Sequence, residues 1–214
     1  MNALPRTDTA RLAQQIQFVI ELDKLKTVLR QTWLTDASRR ENSAEHSWHI
    51  ALMAIVLAEY SPVPVDVLRV IKMLLVHDLV EIDAGDTFCY DVEHNASKDD
   101  RETEAADRLF GLLPTDQAAD LRSLWEEFEA QQTPDALFAC SLDRLQPLLN
   151  NQQTQGGTWK ANGITRDRVL QRMAPISAGA PKLWEFVQQL LDDCVAKGYL
   201  QPELDTMSGI SGVL

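Results

Sequence analysis

The sequence predicts an all-α protein, and three observations carry that expectation. Apolar residues recur at the i, i+3, i+4 spacing of helices packed on a core in one segment after another. No run shows the period-two alternation of a half-buried strand. Helix-capping residues, prolines and glycines divide the segments at plausible helix lengths.

The elements follow in order. A first helix is expected from Ala10 to about Arg30, with Leu12, Ile16, Val19, Leu22, Leu25 and Leu29 as its inner stripe. A polar segment, Thr35 to Asn42, breaks it. Ser43 can cap a second helix that runs to about Tyr60, and Glu45 suits the positive end of its dipole. Ser61, Pro62 and Pro64 end that helix. Asp66 opens a third, which closes around Glu81 to Asp83 before Gly85. Asp86 to Lys98 reads as a loop. Further helices are expected over Asp99–Leu113, Thr115–Ala130, Pro134–Asn150, Thr165–Met173 and Pro181–Lys197. Pro134 after Thr133 is a strong start, because proline at the first helical position loses no intrahelical bond. Asn150 to Gly163, rich in Gln, Asn, Thr and Gly, is expected to be a flexible loop, and the last dozen residues to fray.

With 214 residues and 45% hydrophobic content, the chain is expected to fold as one domain over 1–214, its core at about 25–160 and its C-terminal helices, 165–198, packed on that core. Twenty basic side chains against thirty-two acidic ones give a net charge of −12. Such a surface repels a duplex phosphate backbone and anionic membranes, so long nucleic acid and membrane are excluded as expected partners. A small anionic substrate is compatible with it, because one bound cation can dominate the local field. Cys89, Cys140 and Cys194 are odd in number and far apart, without a Cys-x-x-Cys spacing, so they read as reduced structural thiols. The start, MNALPRTDTARL, carries no apolar signal segment, and Ile50 to Ala58 is far short of the ~20 residues that span a bilayer. A cytoplasmic location is the expectation.

The chemistry concentrates at His77 and Asp78, which end the apolar run Val67 to Val76. An ionised carboxylate among apolar neighbours costs several kcal/mol, roughly, unless it is paired or bound to a metal. His46, upstream, shares a helical face with Ile50, Met53 and Leu57, while Asp143, downstream, shares one with the small residues Ala136, Ala139 and Cys140. Two imidazoles and two carboxylates from three helices suit one divalent first-row ion, and manganese, iron, cobalt, nickel and zinc all fit that donor set. Each residue also has a plainer reading: a core histidine for His46, a helix-end cap or ion pair for Asp78, a solvent-facing aspartate for Asp143. His49, one turn beyond His46, competes for the same place. Pro147 cannot donate to the Asp143 carbonyl, so a kink that aims Asp143 inward is expected. Glu81, one turn past the His-Asp pair, and Asp86, in the Gly85-Asp86 turn, read either as solvated helix-end groups or as carboxylates on the open side of a metal.

The pattern of His46, His77-Asp78 and Asp143 resembles the HD-domain metal-dependent phosphohydrolase superfamily. The segments ENSAEHSWHIALMAIVLAEY, VIKMLLVHDLVEIDAGDTF, LWEEFEA and FACSLDRLQPLLNN are similar to a subgroup that includes bacterial 5′-deoxynucleotidases. The resemblance covers roughly Leu25 to Trp159. It implies that the four residues hold one divalent ion, that Glu81 is catalytic with Asp86 in support, and that the substrate is a small phosphomonoester such as a (deoxy)nucleoside 5′-monophosphate. It also implies a homodimer, and a base or sugar contact for Trp33. The subgroup carries arginine immediately before that tryptophan, whereas Thr32 stands here, so Arg30, Arg39 or Arg40 is expected to neutralise the phosphate. The alternatives are a non-catalytic metal-binding interaction module, or hydrolysis of another phosphate ester. Trp48, Trp125, Trp159 and Trp184 are expected to serve helix packing. Between Asp78 and Asp143 the only further histidine is His94, which with the absence of a Gly-Tyr-Pro motif points to a mononuclear site.

Overall fold

The structure, a computed structural model, describes residues 10–91 and 97–203; His94 and all but the first of the last dozen residues, expected to fray, lie outside the described residues. Helix α1 (Ala10–Leu22) is shorter than its apolar spacing suggests, because the chain tightens at Asp23–Thr27 into a 3-10 turn closed by Thr27 Oγ1 donating to the Lys24 carbonyl. That turn changes the helical phase. The expected inner stripe holds at Leu22 and Leu25, which pack on the core, and fails at Leu12, Ile16, Val19 and Leu29, which are exposed while Phe18 and Glu21 are buried.

The expectation of no strand also fails locally. Strands β1 (Leu29–Trp33) and β2 (Arg40–Asn42) pair antiparallel, with Leu29 opposite Asn42 and Trp33 opposite Arg40. An isolated two-stranded hairpin is marginal in water. Distant side chains hold this one: Asn150 Nδ2 donates to the Trp33 carbonyl at 3.1 Å and Thr158 Oγ1 to the Gln31 carbonyl at 2.9 Å. Partners more than a hundred residues away leave no local pattern to read.

Helix α2 (Ser43–Leu57) is capped by Asn42 rather than Ser43. Asn42 Oδ1 accepts from the Glu45 N–H, and the Glu45 carboxylate accepts from the Asn42 N–H, forming a reciprocal capping box. Ser43 is thereby released to face inward. Helix α3 (Val67–Val76) starts at Asp66, which accepts from the Arg69 N–H, and ends at His77; a tight turn then leads to the single turn α4 (Glu81–Ala84). Three residues of turn, Asp78 to Val80, separate His77 from Glu81 and keep both near one spot. After α5 (Lys98–Phe110) and α6 (Thr115–Ala130), α7 (Pro134–Gln153) begins as expected, with Thr133 accepting from the Ala136 N–H and Pro134 in the first position. It continues through Pro147.

The expected loop at Asn150–Gly163 is instead built. α7 runs to Gln153, Gly156 adopts φ +87°, and α8 (Gly157–Ala161) begins where Asn151 Oδ1 accepts from the N–H groups of Thr158 and Trp159. The polar residues that suggested flexibility are the ones that satisfy this turn. A Cβ on Gly156 would sit 1.8 Å from the Tyr199 carbonyl oxygen. Gly156→Ala is therefore expected to lower stability by ~3 kcal/mol or more, measured as a fall in denaturation midpoint, since positive φ and backbone overlap act together.

The chain closes with α9 (Arg166–Met173), the single turn α10 (Ile176–Gly179) and α11 (Pro181–Ala196). Central α7 packs on α2, α3, α6 and α10. One core, around Ile50, Met73, Phe138, Leu142, Ile176 and Leu191, surrounds α7, and another, around Phe18, Val80, Leu109, Phe110 and Trp125, lies under α5. Met73 and Leu74 belong to the first and Val76, Leu79 and Val80 to the second, so His77 and Asp78 fall at their junction. Trp48, expected to pack, is 60% exposed. Among the described residues no helix is long and apolar enough to cross a membrane.

Candidate metal centre

His46 enters from the first turn of α2, His77 from the end of α3 and Asp143 from the middle of α7, and one ligand atom of each lies within 4.8 Å of the others. His46 Nε2 is 3.0 Å from Asp143 Oδ1, and His77 Nε2 is 3.6 Å from the same oxygen. The other ring nitrogens explain why these two edges face inward. His77 Nδ1 lies 2.9 Å from the Leu74 carbonyl, which only accepts, so Nδ1 carries the proton. His46 Nδ1 lies 3.0 Å from Gln146 Oε1, while Gln146 Nε2 donates to Glu41 at 2.6 Å, which fixes the amide orientation and again places the ring proton on Nδ1. Both Nε2 atoms are left with lone pairs, the arrangement in which an outer partner orients a ligating imidazole. Among the described residues His77 Nε2 is buried and makes no hydrogen bond, with carboxylate oxygens of Asp78 and Asp143 as its charged neighbours. An orphaned ring nitrogen beside a carboxylate fits a divalent ion, as does the nitrogen and oxygen character of the donors.

Asp78 stands at the edge of this cluster. Its Oδ1 is 3.0 Å from His77 Nε2 and its Oδ2 is 4.0 Å from His46 Nε2, but Arg30 Nη1 also donates to Oδ2 at 2.8 Å. Arg30 reaches in from β1 and lies 3.9 Å from Asp86 and 3.7 Å from Glu41, so one buried guanidinium balances three carboxylates. His49 approaches Gln146, 3.4 Å away, and is outside the three-residue cluster.

Glu81 is buried, and Ser43 Oγ donates to it at 2.6 Å. Burial, with the Asp78 charge adding to it, holds the Glu81 carboxyl well above the ordinary range despite Arg30, and burial raises Asp86 in the same way. Without a metal, burial pushes the His77 ring down, but Asp78 and Asp143 outweigh it and lift the ring to about 9. Burial likewise opposes the ionised form of Asp143, yet the neighbouring His46 and His77 rings hold it well below the usual carboxylate range. The pocket thus stores negative charge where a cation would sit, beside a carboxyl whose protonated form burial favours.

A cavity opens onto this cluster, lined by Arg30, Thr32, Asp78, Glu81, Asp86 and Asp143 and extending along α7 past Pro147 to Asn151. The expected substrate contacts need correction. Arg39 and Arg40 are exposed and do not line the cavity; Arg39 instead pairs with Glu45 through bonds of 2.6 and 2.8 Å. Trp33 does not line it either and packs near Gly157, because alternation along β1 gives Arg30 and Thr32 one face and Trp33 the other. Sequence reasoning missed Gln146, Glu41 and Ser43. Gln146 had a signal, lying one helical turn beyond Asp143.

On a neighbouring wall Lys98 Nζ lies 3.5 Å from Glu102, with Glu129 close by. Burial, reinforced by Glu129 and opposed by Lys98, raises the Glu102 carboxyl to about 7. A carboxyl held higher in the folded than the unfolded chain stabilises below the unfolded value, and that stability is lost as pH rises towards the folded one. Glu102→Gln is therefore expected to gain melting temperature relative to wild type at pH 8 and to lose that gain at pH 4.5, as thermal melts at the two values would show.

An HD domain family model matches residues 22–184. The chain is 33% identical over 135 residues to the human (Homo sapiens) 5′-deoxynucleotidase HDDC2 and 32% identical over 135 residues to the Danio rerio protein; these matches span 63% of this chain and 65% and 66% of those relatives, just under two thirds of their length. A solved structure of a predicted metal-dependent phosphohydrolase from Magnetospirillum magnetotacticum MS-1 is 58% identical, with a TM-score of 0.86, covering 91% of this chain and 100% of that one. The PH0347 protein from Pyrococcus horikoshii OT3, 20% identical, covers 85% of this chain and 99% of its own with a TM-score of 0.57 and shares the fold. Three helices that converge two histidines and an aspartate within the matched span, and a family model covering most of the chain, lead to one statement: the chain belongs to the HD domain family.

Proposed function

We propose that this protein is a metal-dependent phosphohydrolase that cleaves phosphomonoesters, with (deoxy)nucleoside 5′-monophosphates as its substrate class. The observation that carries the reading is the convergence of His46 Nε2, His77 Nε2 and Asp143 Oδ1, with His77 Nε2 buried and making no hydrogen bond among the described residues, on the wall of a polar cavity. The 5′-deoxynucleotidase relatives and the phosphohydrolase neighbour support it.

His46, His77 and Asp143 hold one divalent ion, and Asp78 completes the set from the edge; manganese, cobalt, iron, nickel or zinc suits these donors. Such an ion would supply Lewis acidity towards the phosphoryl group and lower the pKa of water. Gln146 and Glu41 keep the His46 ring in the ligating tautomer. Glu81, whose proton burial retains, gives that proton to the leaving ester oxygen as the P–O bond breaks. Asp86, beside Arg30, orients Glu81 and the attacking water. The apolar faces of α2, with Trp48, Leu52, Ile55 and Val56, and of α3, with Leu68 and Leu75, are exposed and support a homodimer.

The test is elemental analysis of the purified protein combined with phosphate release from nucleoside 5′-monophosphates, cyclic nucleotides and bisphosphates in the presence of each metal. Metal-dependent release from the monophosphates is expected. Stoichiometric metal without release from any ester would instead indicate a non-catalytic metal-binding module.

A further inference from the structure

Among the described residues, one cation on the cavity wall makes no side-chain hydrogen bond or ion pair at all. Arg30 faces Asp78, Asp86 and Glu41, and Lys98 faces Glu102. Arg172, on the last turn of α9, lines the same cavity, and its guanidinium makes no hydrogen bond or ion pair among the described residues. Its main chain is nevertheless fixed, because Arg144 Nη1 donates to the Arg172 carbonyl at 2.9 Å. Arg144 follows Asp143 directly on α7, so the helix that carries the aspartate also sets where α9 presents Arg172. Arg144 Nε is itself buried without a partner.

The charge balance gives this free fork a purpose. Asp78, Glu81, Asp86 and Asp143 line the inner cavity, with Glu41 buried behind Arg30, and Arg30 is the cation that pairs with Asp78, Asp86 and Glu41. With a divalent ion bound, the ion and Arg30 are largely taken up by these carboxylates, so a phosphate dianion brings further negative charge that calls for another cation. Arg172 faces that charge directly, since it lines the same cavity together with Arg30, Asp86 and Asp143. A guanidinium offers paired N–H donors matched to two phosphate oxygens, which an ammonium does not.

We propose that Arg172 is a substrate-binding residue that receives a phosphate group in the cavity, and that Arg144 is the positioning residue that holds α9 in place for it. The proposal rests on the phosphohydrolase reading for the molecule that carries the phosphate, though not for phosphate binding itself.

The experiment uses metal-loaded full-length protein as wild type, Arg172→Ala, Arg172→Lys and, as a control for net charge outside the cavity, Arg40→Ala. Calorimetric titration with inorganic phosphate is followed by kcat and KM for a nucleoside 5′-monophosphate and a nucleoside 3′,5′-bisphosphate. The expected result is a loss of phosphate affinity and a rise in KM of roughly 10-fold or more in Arg172→Ala. Part of this returns in Arg172→Lys and none is lost in Arg40→Ala, with metal content and melting temperature unchanged. Weaker binding of inorganic phosphate places the contact on the scissile group; weakening confined to the bisphosphate places it on a second, remote phosphate, which also supports the assignment. Phosphate affinity and both KM values within twofold of wild type would overturn it. If wild type hydrolyses no ester, the phosphohydrolase reading fails while the phosphate titration still decides the role of Arg172.

Discussion

Asp143→Asn is expected to abolish both metal retention and turnover. The Asp143 carboxylate is the one group within 3.0 Å of His46 Nε2 and 3.6 Å of His77 Nε2, so it supplies the anionic oxygen around which the cluster is arranged. An amide of the same shape keeps the packing against Ala139 and Cys140 but removes the charge that opposes two buried rings. A divalent ion contributes several kcal/mol to stabilising a phosphoryl transition state, and at 1.36 kcal/mol per decade the loss corresponds to ~10³-fold in rate. Metal per chain should fall to background in the same preparation. A variant that keeps its metal while losing activity would remove Asp143 from the ligand set. Asp78→Ala is expected to lose metal and turnover as well, with the added consequence that Arg30 loses its closest partner.

Glu81→Gln is expected to separate binding from chemistry. Glu81 does not belong to the three-residue cluster, and Ser43 holds its carboxyl at 2.6 Å inside a buried pocket. The substitution replaces a protonated acid with a neutral group of the same size, so metal content and melting temperature near neutral pH should stay at wild-type levels. Turnover should fall by about 10²- to 10⁴-fold, the usual contribution of a positioned general acid or base. Undiminished phosphate release from Glu81→Gln would end its role as proton donor. Loss of metal from this variant would mean that it belongs to the ligand set instead.

The convergence of His46, His77 and Asp143 was legible in the sequence because these residues sit on or at the end of helices with clear periodicity. His77 and Asp78 closing an apolar run, His46 on the Ile50 and Met53 face, and Asp143 among small residues all follow from 3.6-residue geometry, and α7 begins at Thr133-Pro134 as its capping chemistry requires. Legibility ends where geometry depends on partners distant in the chain. The β1–β2 hairpin is fixed by Asn150 and Thr158 from the far side of the protein, and that hairpin decides that Arg30, and not Arg39 or Arg40, enters the site. The Asn150–Gly163 segment shows the same limit from the other direction: its polar composition suggested a loop, while Asn151 uses that polarity to cap α8.

By itself, then, the sequence determined the helical class, the starts of the central helices and the residue types able to grip a divalent ion, because helix periodicity and N-terminal capping are local properties of the chain. The tertiary structure decided the rest: which ring nitrogens are left without protons, which arginine neutralises the inner carboxylates and which stays uncommitted. Those outcomes are set by hydrogen-bond partners and burial that arise only when segments a hundred residues apart come together.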